Sequence, residues 1–218
     1  MASSFVLKSA SACAASASLA LFVSVTTSVS ATVYDNRADF VANVGSTEML
    51  ADFSSYPDFG VQFPSSPLVI SDKLTFSTPG ILKIFGKGIF NTGYPLLDAD
   101  ESYTTLTMTF AEGVDAVGFN FGTLHYQSPD FIINVYDAAV GGTLLYTTGA
   151  VSPRLVDVNG FDFLGIAEVG SIYRVEITGG HAISVTNVEA VPAAVPEPAS
   201  AALLLGAAAG TVALRRRS

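Results

Sequence analysis

The chain is poor in the residues that most often carry chemistry. Its 218 residues include one cysteine, no tryptophan, two histidines and only ten lysines and arginines against nineteen acids, for a net charge of −9. Nucleic acid demands a basic surface, so this balance excludes a nucleic-acid-binding protein. Half of the residues are apolar and 13% are charged, which excludes intrinsic disorder. The sequence therefore indicates a folded, acidic protein with few catalytic side chains.

The first 31 residues have the three parts of a secretory signal peptide. Lys8 precedes an apolar and small-residue run from 10 to 25, and Val29 and Ala31 occupy the small-residue positions of a signal peptidase site. We therefore predict cleavage between Ala31 and Thr32. The alternative is a buried N-terminal helix, which Thr26 and the following polar residues would continue poorly. Because Cys13 lies in this segment, the remaining chain has no disulfide and no thiol chemistry.

A second segment with its own pattern lies near the C-terminus. Pro196, Glu197 and Pro198 precede an uncharged stretch from 199 to 214, and Arg215, Arg216 and Arg217 follow it. The prolines confine any helix to Pro198 and beyond. Sixteen helical residues would span about 24 Å, slightly less than the hydrocarbon core of a bilayer. The arginines would stay on the cytoplasmic side. The sequence thus predicts a marginal membrane anchor.

These C-terminal elements, taken with the signal peptide, resemble the PEP-CTERM sorting signal of exported proteins in Gram-negative bacteria that make extracellular polysaccharide. The resemblance covers residues 195–218 and rests on Pro196, Glu197, Pro198 and the three arginines. It implies export across the inner membrane by way of signal peptidase, transient anchoring by the C-terminal helix, and cleavage by an exosortase-type membrane protease. The protein would then reach the cell surface or the extracellular space. A permanent anchor is the alternative.

The sequence divides into a signal peptide (1–31), a β-sandwich domain (32–189), a tether (190–195) and a sorting segment (196–218). Between Thr32 and residue 195 there are eighteen acidic and six basic residues, a net charge of −12. Such a surface repels nucleic acid and anionic lipid and suits neutral polymers or cations.

Alternating apolar residues predict a mainly β fold for this domain, a single antiparallel, jelly-roll-like sandwich. The inward positions include Leu106, Met108 and Phe110, then Val117, Phe119 and Phe121, and later Tyr173, Val175 and Ile177, with Arg174 and Glu176 outward. The predicted strands are 49–53, 73–77, 81–85, 103–110, 116–121, 131–136, 143–147, 172–177 and 181–185. One short helix is predicted over 36–44, with Asn36 as its N-cap, Phe40, Val41 and Val44 facing inward, and Gly45 at its end.

Three places carry a second likeness: the predicted helix followed by Ala51-Asp52-Phe53, the strand pair from Leu106 to Phe121, and the closing segment from Tyr173 to Val188. In these the domain loosely resembles the β-sandwich often found ahead of this sorting signal. Many such proteins end on a strand with paired acidic residues, where this chain has Ser184, Val185, Thr186, Asn187 and Val188. This departure weakens any metal site carried over from the resemblance.

The candidate ligand-binding residues lie in a loop between two predicted strands. Tyr126 would stack on a sugar, and Gln127 and Asp130 would form hydrogen bonds with it, while His125 lies at the mouth of the loop. An ordinary solvated loop is the alternative, and the lack of tryptophan leaves tyrosine to do all the stacking.

Metal, cofactor and catalytic motifs give no assignment. Asp98, Asp100 and Glu101, or Asp52, could ligate calcium, but a turn explains the acidic cluster equally well. The two histidines lack zinc spacing, and no nucleotide or nucleophile motif occurs. We therefore predict no cofactor, no metal and no catalytic residues.

The leading functional prediction is a non-enzymatic exported protein of the cell surface or matrix, associated with exopolysaccharide. A carbohydrate-binding module is the alternative, and a glycan hydrolase is a third class with less support.

Overall fold

The computed structural model describes residues 31–90, 94–102, 104–125, 128–156, 160–179 and 181–193. Within these ranges the chain forms one helix and twelve strands, and every strand-to-strand pair is antiparallel. The elements are β1 (Thr32–Tyr34), α1 (Arg37–Val44), β2 (Glu48–Ala51), β3 (Val61–Gln62), β4 (Leu68–Val69), β5 (Leu74–Ser77), β6 (Ile81–Phe85), β7 (Leu96–Ser102), β8 (Thr105–Thr123), β9 (Phe131–Tyr136), β10 (Leu144–Val151), β11 (Asp162–Thr178) and β12 (His181–Pro192).

Two layers of strands share β8 and β11. One layer runs β4-β5-β8-β11-β9-β10 and uses the first part of β8 and the last part of β11. The other runs β1-β11-β8-β12-β7-β6-β3 and uses the opposite ends of the same two strands. The inward rows of both layers form one apolar cluster, and the rings of Phe121 and Phe131 meet with their centroids 6.4 Å apart. The predicted mainly β, antiparallel sandwich is confirmed.

The longest strand, β8, corrects one prediction. The sequence predicts separate strands over 103–110 and 116–121, but residues 105–110 and 116–121 both belong to β8, and their inward residues are buried as predicted. The intervening residues resemble a turn in sequence. They stay in the sheet because Ala111 donates its N–H to the carbonyl of Lys73 and Gly113 accepts from Ala193. The backbone groups of the bend are thus paired without a turn.

A register shift in β11 corrects the inward residues predicted for it. Ile172 pairs with Val114 and Arg174 with Thr109, so β8 carries extra residues between these two pairs, where β11 has only Tyr173. As a result Ile172, not Tyr173, is fully buried, followed by Val175 and Ile177 as predicted. Arg174 is on the outer face, as predicted, but it is only 9% exposed because its guanidinium lies 4.0 Å from the Tyr136 ring centroid.

Two further predictions change with β7 and β12. The acidic segment around Asp98 is not a turn before a strand, because it forms the strand β7 itself. The predicted domain boundary at residue 189 falls inside β12, which continues to Pro192 and buries Ala190. Residues 190–192 therefore belong to the sheet and not to a tether.

The helix α1 covers part of the outer face of the second layer. As predicted, Asn36 caps it by accepting the N–H of Asp39 at 2.9 Å, and Gly45 ends it at φ 84°. Phe40 is fully buried, whereas Val41 and Val44 are only partly buried. A Cβ at Gly118 or Gly165 would lie 2.8 or 2.5 Å from the Phe40 ring. The two glycines thus make room for the one aromatic ring that holds the helix.

No helix in the described ranges has the length and apolar character needed to cross a membrane. The signal peptide apart from Ala31, the residues Pro196, Glu197 and Pro198, the stretch 199–214 and the three arginines lie outside the described residues.

Candidate functional site

The predicted ligand loop is tied closely to the start of β12. The His125 ring packs against the His181 ring with centroids 5.0 Å apart, and the backbone N–H of His181 donates to the Ser128 hydroxyl at 2.9 Å. Asp130 accepts a hydrogen bond from Ser152. The structure therefore brings His125 together with His181, while Asp130 is engaged with another loop. Tyr126 and Gln127 lie outside the described residues.

The predicted signal peptidase site lies at the start of the first strand. Thr32 is the first residue of β1 and pairs with Ala167 of β11, and its hydroxyl donates to the Glu168 carboxylate. Ala31 is partly buried against the core.

The acidic cluster of β7 separates into two environments. Asp98 is 1% exposed and accepts a hydrogen bond from the Ser184 hydroxyl at 2.8 Å, whereas Asp100 forms an ion pair with Lys83. Burial raises the pKa of the Asp98 carboxyl to about 7, although Ser184 and Lys83 oppose this shift. Among the described residues, no group of three or more histidine, cysteine, aspartate or glutamate side chains could hold a metal ion.

An open cleft lies where two strands meet the same edge of β12. The first part of β12 pairs with β7 up to Val185, and its last part pairs with β2 from Val188 onward. Between them the Thr186 hydroxyl donates to the carbonyl of Pro95 at 2.8 Å, and Asn187 has a φ of 50°. Non-glycine residues rarely adopt this left-handed conformation, and such strain is common at functional sites.

We call this feature the β12 cleft. Its volume is about 320 Å³. The lining residues come from three separate segments and are mostly polar: Met49, Asp52, Ser54, Asp58, Lys87, Tyr94, Pro95 and Asn187.

The polar groups of the β12 cleft are held in place locally. Ser54 donates its backbone N–H to Asp52 at 2.9 Å, and this hydrogen bond lowers the pKa of the Asp52 carboxyl. Lys87 and Asp58 form an ion pair at 2.9 Å. Tyr94 is 52% exposed. The cleft thus combines an accessible aromatic ring with fixed carboxylates, an ammonium and an amide.

Sequence reasoning missed this site because its residues are far apart in the chain. The sequence links Asp52 only to calcium and to the loose β-sandwich resemblance, and Asn187 only to a departure from an acidic pattern. The one local signal is Tyr94-Pro95 directly before an apolar strand, which is weak by itself.

A second cavity of about 400 Å³ lies beside the end of α1. Tyr34 and Asn43 line it together with Asp115 and Glu168, and its charged groups are all acidic. Its lining tyrosine is partly buried, so less of an aromatic face is available there than in the β12 cleft.

Comparison with solved structures gives distant matches. The chain is similar to a family 11 carbohydrate-binding module of the cellulosomal cellulase Lic26A-Cel5E of Clostridium thermocellum, with 14% identity, TM-score 0.35, and coverage of 68% of this chain and 95% of the module. It is also similar to CBM29_1, a family 29 carbohydrate-binding module from Piromyces equi, with 9% identity, TM-score 0.35, and coverage of 66% and 89%.

A third match is the enzymatically active domain of tailspike protein 4 of bacteriophage CBA120, with 16% identity, TM-score 0.34, and coverage of 55% of this chain and 19% of that one. No family model and no curated protein matches the chain. Likenesses this distant do not assign a function, which must be inferred from the chain's own residues.

Proposed function

We propose that this chain is an exported, non-enzymatic β-sandwich that binds neutral extracellular polysaccharide in the β12 cleft. The observation that carries the proposal is the composition of that cleft, in which an exposed Tyr94 ring lies among Asp52, Asp58, Lys87 and Asn187. A sugar presents an apolar ring face and a rim of hydroxyls. An aromatic ring packs against the former, and carboxylates and amides bond the latter.

The charge of the domain favours a neutral ligand. The net charge of −12 between residues 32 and 195 repels an anionic polymer approaching from solution. The one cation of the cleft, Lys87, is already paired with Asp58. Neutral hydroxyl-bearing chains avoid both penalties.

The contacts of the histidines and of Asp98 give no support to hydrolytic chemistry. The only two histidines of the chain pack against each other, and the Ser184–Asp98 pair is fully buried. Glycan hydrolases use paired carboxylates instead, so released sugar products are the readout that separates binding from hydrolysis.

The test is binding of the purified protein to neutral polysaccharides, measured by affinity electrophoresis. We expect Tyr94→Ala to weaken binding about tenfold, as loss of one stacked ring implies, and Tyr94→Phe to retain it. Val140→Ala is the control, because Val140 is 90% exposed and lies between β9 and β10, which belong to the other layer. If Tyr94→Ala bound the polysaccharide as tightly as the parent, the β12 cleft would not be the binding site. Released sugar products would instead support the hydrolase alternative.

Delivery to the cell surface forms the second part of the proposal. The signal peptide and the PEP-CTERM resemblance support export, with transient anchoring and exosortase-type cleavage. Replacing Pro196, Glu197 and Pro198 with alanine should leave uncleaved protein in the inner membrane, as judged by fractionation and mass measurement. Normal processing of that variant would favour a permanent anchor or an unrelated tail.

A further inference from the structure

A row of exposed apolar side chains runs along the β3 edge of the second layer. Val61 pairs with Phe85 in the β3–β6 ladder. Two further hydrogen bonds, from Gly86 to Gly60 and from Gly88 to Asp58, continue the same register. The β3–β6 register places Phe63 opposite Lys83, on the same face as Val61. Phe59 precedes them in a bend, where Gly60 has a φ of 122°. We call Phe59, Val61 and Phe63 the Phe59 row.

The three side chains of the row expose much of their apolar surface to solvent. Phe59 is 75% exposed, Phe63 67% and Val61 38%. Contiguous exposed apolar side chains commonly mark a binding surface. Phe59 and Phe63 are four residues apart in the chain, so their Cα atoms lie at most about 13 Å from each other.

Both rings are held in position before any ligand arrives. The Phe59 ring lies so close to Gly88 that a Cβ there would come within 2.2 Å of it. The Lys83 ammonium lies 6.0 Å from the centroid of the Phe63 ring. Each ring therefore has a neighbour that limits its motion while much of its surface stays open to solvent. Because these side chains are already ordered, binding a flat ligand would cost little further side-chain entropy.

The row is adjacent to the β12 cleft. Asp58 precedes Phe59 in the chain, Lys87 precedes the Gly88 against which the Phe59 ring packs, and both charged residues line the cleft. The cleft and the row therefore meet at the Asp58–Lys87 ion pair. A ligand that entered the cleft and continued beyond this pair would reach the Phe59 ring.

We propose that the binding surface continues from the β12 cleft along the Phe59 row, so that the ligand is an extended neutral polysaccharide chain and not a short oligosaccharide. This inference rests on the proposed function of the cleft. The two rings, four residues apart in the chain, would contact successive parts of one polysaccharide, and their faces need no charge on the ligand. Length selectivity follows, because a short ligand can fill only the cleft.

A second copy of the protein is a less suitable occupant. Two domains that each carry a charge of −12 repel one another. The strand β3 has only two residues and is followed by Pro64, which limits pairing of edge strands. Self-association through the row is therefore an outcome of the test and not the proposal.

The experiment measures affinity against ligand length. The probes are neutral cello- and manno-oligosaccharides of two to eight sugars, the corresponding soluble polymers, and neutral polysaccharide from the producing bacterium. The purified full protein is compared with Phe59→Ala/Phe63→Ala, Tyr94→Ala and the control Val69→Ala, an exposed residue of β4. Phe59→Leu/Phe63→Leu keeps apolar bulk but removes the flat rings. Melting temperatures confirm that each variant is folded.

We expect the affinity of the parent to rise with chain length. The double alanine and double leucine variants should bind the polymer at least tenfold more weakly than the parent does. For the shortest oligosaccharide that the parent binds, their affinity should equal that of the parent. Tyr94→Ala should weaken binding at every length.

Polymer binding by the double alanine variant equal to that of the parent would overturn the extended surface and leave the cleft standing. If the double alanine variant lost polymer binding while Tyr94→Ala bound the polymer like the parent, the cleft would not be the binding site. That result would overturn the proposed function and this inference as stated. Failure of the parent to bind any probe would overturn both. A parent dimer that the double variant abolishes, seen by light scattering, would assign the row to self-association instead.

Discussion

Replacing Asp98 with asparagine should remove a pH-dependent cost that is built into the fold. Asp98 is 1% exposed, and burial raises its pKa from 3.8 to about 7. The shift is roughly three pH units, and each unit corresponds to about 1.4 kcal/mol, so the ionised carboxylate costs about 4 kcal/mol in the folded state. The side-chain amide of Asp98→Asn would have the same shape as the carboxyl and could still accept the hydrogen bond from Ser184.

The direction of the effect follows from proton binding. Between pH 4 and pH 7 the unfolded chain has released the proton of Asp98 while the folded chain still holds it. The free energy of unfolding of the parent therefore falls by about 1.4 kcal/mol per pH unit across this window through this group. Below pH 4 and above pH 7 Asp98 should contribute no pH dependence to the free energy of unfolding. In Asp98→Asn the slope between pH 4 and pH 7 should be absent.

Urea unfolding at pH 4, 5, 6, 7 and 8 measures the difference directly. We expect Asp98→Asn and the parent to be of similar stability at pH 4, and the variant to be more stable by up to about 4 kcal/mol at pH 8. Asp100→Asn is the control, since Asp100 is 43% exposed and pairs with Lys83 at the surface. A gap between parent and Asp98→Asn that is constant with pH would refute the raised pKa and the dry environment inferred for this carboxyl.

Three other predictions concern the helix and the absence of cysteine. Phe40→Ala should lower the free energy of unfolding by about 3–5 kcal/mol, because Phe40 is fully buried; denaturant unfolding measures it, and a loss below about 1 kcal/mol would contradict the anchoring role. Gly165→Ala should cost about 1–3 kcal/mol through its clash with the Phe40 ring, and combining it with Phe40→Ala should cancel most of that cost. The domain beginning at Thr32 contains no cysteine, so reducing agent should leave its β-type far-UV spectrum and melting temperature unchanged.

The core of the sandwich was largely predictable from local alternation. Leu106, Met108 and Phe110 repeat every second residue, and the same spacing recurs at Val117, Phe119 and Phe121, so the buried face follows from the period of a strand. The predicted buried positions are wrong where the two-residue alternation of a strand is interrupted. At Tyr173 the register shift of β11 moves the buried position to Ile172, and nothing in the neighbouring sequence marks that shift.

The candidate site was hardly predictable because it depends on strand pairing. Asn187 faces the cleft only because β7 and β2 leave a gap on the same edge of β12. Asp98 looked like a turn residue because aspartate is uncommon inside strands. It is accommodated there because Ser184 from the neighbouring strand bonds it. Such partners are fixed by the register of distant segments, which a single sequence does not reveal.

The position of β12 has a mechanical consequence for a protein held by its C-terminal side. The described chain leaves the sandwich at the end of β12, and β12 is hydrogen-bonded along one edge to β8 and along the other to β7 and β2. Tension applied beyond Pro192 would pull this strand lengthwise between its neighbours, so many backbone hydrogen bonds would have to break together and not one after another. By contrast, tension at Thr32 would act on the three-residue strand β1, which pairs with β11 alone. The described domain should therefore resist a pull at Pro192 better than a pull at Thr32.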